Sequence, residues 1–114
     1  MQIIQTPLTL QSLTTMAKNR FGNLIKGVVD IEKGLLVLDA DLHADEEALL
    51  ISEGSDQKNL WGINLYPELF GTDDFIEFYS MINLRPSENH LSRGVDDPQI
   101  QKQIQSVITK YIKT

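Results

Sequence analysis

The chain contains no cysteine. A disulfide framework, a thiolate metal site and a cysteine nucleophile are therefore all excluded. Positive charge is scarce: ten Lys and Arg stand against sixteen Asp and Glu, a formal net charge of −6. Nucleic-acid binding depends on neutralising phosphates with basic side chains, so the overall field opposes it, as it opposes anionic lipid surfaces. Long apolar runs are missing too. The longest, Gly34–Leu38, falls far short of the roughly 20 residues that span a bilayer. Met1–Pro7 lacks the basic segment and apolar stretch of a signal peptide. These absences give the expectation of a cytoplasmic protein with no membrane contact. The glycines form neither GxGxxG nor a Walker pattern, and no serine sits in a nucleophile elbow.

What remains is an ordinary globular composition, 41% hydrophobic and 23% charged over 114 residues. That length forms one domain, residues 1–114, and buries a core without staples. Residues 1–5 suit a short edge strand. Thr9 is placed to cap a helix over about 10–20, with Leu10, Leu13, Met16, Ala17 and Phe21 on one face. Residues 24–31 and 35–43 alternate as strands around the short loop Glu32-Lys33-Gly34. Asp45 then caps a second helix, with Glu46 and Glu47 at the positive end of its dipole and Gly54 after it.

Leu60–Tyr66 reads as a third strand and Phe75–Arg85 as a long fourth one, stopped by Pro86. Trp61, Ile63 and Leu65 share the face expected in the core. Asp97 caps a last helix with Pro98 at its first position, and Ile100, Ile104, Val107, Ile108, Tyr111 and Ile112 form its apolar stripe. The predicted class is α+β, in the order α-β-β-α-β-β-α. It has a mainly antiparallel sheet of about four strands, built from two hairpins, with three helices on its apolar face.

Two polar constellations stand out. Along a strand, alternate side chains share a face, so Asp39, Asp41, His43 and Asp45 would make one row. Asp41, His43 and Asp45, with Asp39 or Glu47 as a further donor, are candidate ligands for a divalent metal such as zinc or manganese. Neighbours in such a row lie about 6.6 Å apart, so a third ligand needs a bend. The plain alternative is a solvated strand face leading into an acidic helix start. No cofactor is otherwise implied. The second constellation joins Asn64, Tyr66, Glu77, Tyr79, Asn83, Arg85, His90 and Arg93. Asn64, Tyr66, Asn83, Arg85, His90 and Arg93 are candidate anion or ligand contacts, arginine recognising carboxylate or phosphate and histidine supplying acid-base chemistry. The alternative there is that Arg85 pairs with Glu77 or Glu88 and the loop only connects elements.

The segments Leu42–Leu50, Trp61–Pro67 and Met81–Ser87, together with Ser92-Arg93-Gly94-Val95, resemble a family of small microbial proteins classed as a domain of unknown function. The resemblance spans nearly the whole chain and implies a stand-alone bacterial-type protein, with no activity or catalytic residue to carry over. Two functional readings follow. In the favoured one the protein is a binding, regulatory or protein-interaction module, acting on a protein partner or as a homodimer. In the alternative it is a small metal-dependent hydrolase or nuclease-like enzyme, with the Asp/His row holding the metal and Arg85 or Arg93 an anionic substrate. That alternative requires both clusters to share one cleft.

Overall fold

A computed structural model describes all 114 residues. The class is α+β, as expected. The central strands are β3 (Ile25–Asp30) and β4 (Leu35–Leu38), a hairpin whose turn uses Gly34 at φ +68°, a conformation costly for a residue with a Cβ. Asp30 ties that turn down: its Oδ1 accepts from the backbone N–H of Glu32 and Lys33, both at 2.9 Å, and its Oδ2 from the Ser55 hydroxyl at 2.6 Å. β5 (Leu60–Leu65) pairs antiparallel with β3 on the other side. The edges are β1 (Gln2–Ile3), on β4, and β6 (Ile76–Glu77), on β5, giving the order β1-β4-β3-β5-β6. A separate two-stranded parallel pair joins β2 (Leu8–Thr9) to β7 (Ile112–Lys113), bringing the two ends of the chain together.

The sheet is covered on both faces, which departs from the one-sided packing expected from sequence. Helices α1 (Leu10–Arg20) and α3 (Pro98–Tyr111) pack on one face. There Leu13, Ala17, Ile104, Val107 and Ile108 meet Ile25, Val29, Leu36, Leu38, Trp61, Ile63 and Leu65. Helix α2 (His43–Ser52) lies on the opposite face, where its Leu50 joins Val28, Val37 and Leu60 in a much smaller cluster. All six residues of β5 are buried, as a strand sandwiched between layers requires. The caps of the outer helices follow the sequence: Thr9 accepts from the Ser12 N–H and Asp97 from that of Gln99, with Pro98 at the first helical position.

Two strand expectations fail, each for a local reason. The second strand does not run to His43. It ends at Leu38, because Asp39 adopts φ +73° and turns the chain out of the sheet. The fourth strand does not run from Phe75 to Arg85. Only Ile76–Glu77 pairs with β5, after which Ser80 caps a 3₁₀ turn at Met81–Asn83 and a second turn follows at Pro86–Glu88. Ladder bonds that a longer strand would have made are supplied by a side chain instead. Asn83 donates to the Gly62 carbonyl at 3.0 Å and its Oδ1 accepts from the Gly62 N–H at 2.8 Å. Glycine is needed at position 62 for this approach, since a Cβ there would sit 2.6 Å from the Ser80 Oγ.

Candidate functional site

The expected Asp/His row does not form. Asp39 and Asp41 both pair with Arg20, at 3.0 and 2.7 Å, so their carboxylates are held by a guanidinium. These bonds raise the arginine pKa further, Asp41 contributing most. His43 lies not on a strand but at the first position of α2, and Asp45 falls in the first turn rather than at the cap. The cap position is Leu42, which has no polar side chain to offer. Asp41, His43 and Asp45 are therefore not brought together, and no group of three or more His, Asp or Glu side chains converges in the way a metal ion needs.

The second constellation separates into two parts. Asn83, Arg85 and His90 are spent on the fold. Arg85, 6% exposed, donates to the backbone carbonyls of Ile82, Lys58 and Leu60. Its guanidinium lies 4.5 Å from the Trp61 ring centroid, a stacked arrangement that suits arginine. Burial lowers its pKa, with Glu88 and Glu47 acting in the opposite sense. It forms no ion pair with Glu77 or Glu88; it closes the open edge of β5. His90 donates from Nδ1 to the Asn83 carbonyl at 2.6 Å and meets Trp61 edge-on at 5.1 Å. Arg85 and His90 also exchange backbone hydrogen bonds.

Asn64 and Tyr66 belong to a different, more exposed group. The Glu77 Oε1 accepts from the Asn64 Nδ2 at 2.8 Å and from the Tyr66 hydroxyl at 3.1 Å, and burial together with that contact pushes the phenol pKa up. Arg93 donates to the Tyr79 hydroxyl at 3.1 Å and stays at the surface.

Asn64 leads to the cleft that sequence reasoning missed. Between the start of α2 and the segment 79–82 lies a cavity of about 270 Å³, lined chiefly by Lys26, Leu42, His43, Asn64, Tyr79 and Met81. Its polar groups are only partly satisfied. His43 Nε2 donates to the Ile63 carbonyl at 2.8 Å, which places the proton on that nitrogen. The Asn64 side chain lies against the same ring and favours its charged form, in opposition to burial. Burial lowers the His43 pKa, so the ring is neutral at pH 7. Asn64 is 7% exposed, and its Oδ1 is buried without a partner. Lys26 donates to the Asp41 carbonyl at 2.9 Å. Around these polar groups stand Leu42 and Met81, 55% and 59% exposed, and the exposed ring of Tyr79.

A larger, more open groove of about 490 Å³ runs beside Met1, Arg20, Asp39, Asp41, Asp45 and Leu49. Its charged side chains largely neutralise one another in the Arg20 bridges. Beneath the same helix Glu46 is fully enclosed, neither carboxylate oxygen having a partner. Burial pushes its pKa up to about 9, against an opposing influence from the N-terminal ammonium.

The alternation Asp39-Asp41-His43 hid the cleft because it mimics a strand. The usable signal was Leu42, an apolar residue directly before a helix start where a capping side chain is normal. No curated protein and no solved structure matches the chain. Residues 2–111 match the family described as protein of unknown function (DUF5674), and the chain belongs to that family.

Proposed function

We propose that the protein is a cytoplasmic binding module whose ligand or protein partner enters the cleft between the start of α2 and residues 79–82. One observation carries this reading: a cavity of about 270 Å³ there brings the buried amide of Asn64 together with three exposed apolar side chains. Asn64 Oδ1 is buried without a partner, His43 lines the same cavity, and Leu42, Tyr79 and Met81 form an apolar rim. Buried polar groups are almost always paired, and a concave, mainly apolar site with a few convergent polar groups is what recognition of a small group requires. A metal-dependent hydrolase is less well supported, since Asp41 is paired with Arg20 and all the interactions of Arg85 are with its own fold. Crystals soaked separately in isopropanol and in acetamide test the proposal. Both probes are expected to collect in the cleft; if both collect instead in the groove beside Met1 and Arg20, the proposal is wrong.

A further inference from the structure

We propose that the open edge of β6 receives an extended segment of a partner protein in which basic residues alternate with apolar ones. This surface shares no lining residue with the cleft beside α2 and does not rest on it.

The edge is open at Ile76. β6 is the last strand of the sheet. The Phe75 carbonyl just before it accepts from the Tyr66 N–H, and Glu77 stands opposite Asn64. Backbone groups alternate in direction along an antiparallel pair, so those of Ile76 point away from β5. No strand of the chain pairs with them, and Ile76 lines three cavities at once. Two adjoining hollows, of about 360 and 330 Å³, lie between this edge and α3, where Phe70, Phe75, Ile108 and Ile112 supply apolar walls. The Ile76 side chain packs toward the main core on that side, and Glu77, next along, takes the opposite face with Tyr66. There a third hollow, of about 280 Å³, is bounded by Tyr66, Leu69, Asp74 and Glu77. An added strand therefore meets one apolar and one acidic face, and its alternate side chains enter each in turn.

Charge selects the occupant. Residues 59–84 contain no Lys, Arg or His, while Glu68, Asp73, Asp74 and Glu77 are all exposed and outside every ion pair. The polar α3 side chains beside the edge, Gln101, Gln105 and Thr109, are uncharged. A second copy would set the four acids against their equals, in a chain of net charge −6, and charged edge residues deter such self-pairing. A basic strand gains from the same field. The residue directly opposite Ile76 shares its face. An apolar side chain takes that place, and the residues flanking it carry positive charge toward Asp74 and Glu77.

The test titrates the ¹⁵N-labelled full chain with acetyl-KVKVK-amide, the same peptide N-methylated at both valines, and acetyl-EVEVE-amide. The basic peptide is expected to shift the backbone amides of Ile76, Glu77 and Thr109. Methylation removes the N–H that pairs with Ile76 and should weaken binding about tenfold. The acidic peptide should leave the spectrum unchanged. Asp73→Asn combined with Asp74→Asn, two exposed side chains outside every ion pair, should weaken the basic peptide about fivefold. Equal affinity of the methylated peptide would reduce the contact to general charge attraction and overturn strand addition. Equal shifts from the acidic and basic peptides would overturn the partner class, and no shift from either would overturn the proposal. Movement of the same amides on diluting the protein alone would place a second copy on the edge, which also contradicts it.

Discussion

The side chains that sequence marks as chemical are largely structural, and each has a measurable consequence. Asn83 stands in for a strand by bonding both backbone groups of Gly62. Asn83→Ala leaves a buried N–H and a buried C=O unpaired, at about 1–3 kcal/mol each, so urea unfolding should show a loss of about 2–6 kcal/mol. A loss below 1 kcal/mol would mean that water replaces the amide. Glu46 works in the other direction. Its carboxyl is neutral in the fold up to about pH 9 but ionises near 4.5 once unfolded. The folded state therefore holds the extra proton between those values, and its stability falls with rising pH by about 1.4 kcal/mol per unit. By pH 7 the loss is on the order of 3 kcal/mol. Glu46→Gln should be more stable than the native protein by an amount that grows from pH 4.5 toward 9. Comparing the two at each pH cancels the titration of His43. A difference that does not vary with pH would show that Glu46 is ionised in place. Neither role is legible in sequence, because Asn83 and Glu46 act through partners, or a lack of them, far along the chain.

At the level of elements, legibility followed periodicity. The stripe Ile104-Val107-Ile108-Tyr111 behind an Asp-Pro start predicts α3, and Leu13 and Ala17 behind Thr9 predict α1; both form as expected. The two strand overruns share one cause. Alternation persists past Leu38 and past Glu77, but backbone conformation ends the pairing, at Asp39 by its positive φ and after Glu77 by the Ser80 cap. Alternating pattern states which face a residue would take and says nothing of where pairing stops. Helix α2 is held differently from its neighbours. Its buried side chains are Leu50 and the neutral Glu46, against four apolar residues in α3. Amide hydrogen exchange should therefore open α2 at a lower free energy than α3, with α3 exchanging only by global unfolding. Leu50→Ala, expected to cost about 2–5 kcal/mol, should widen that gap. Equal protection in the two helices would show that α2 is part of the main cooperative unit.

Across the whole molecule, the division into a heavy core face and a light α2 face positions the cleft. The sheet buries its larger cluster under α1 and α3, and β2 with β7 fastens the chain ends. On the other face a lightly packed helix starts above Asn64 and beside the irregular segment that replaced a strand. No helix is long and apolar enough to cross a membrane. The site forms where regular structure gives out on both sides, at the end of β4 and the end of β6, which is why strand patterns concealed it. The three methionines allow a direct test, because Met81 lines the cleft, Met1 lines the competing groove and Met16 lies on α1. Methyl-labelled methionine spectra should be recorded while a cocktail of small amphipathic acids and amides is added. The account predicts that the Met81 resonance moves while Met1 and Met16 stay in place; movement of Met1 with Met81 unchanged would contradict it.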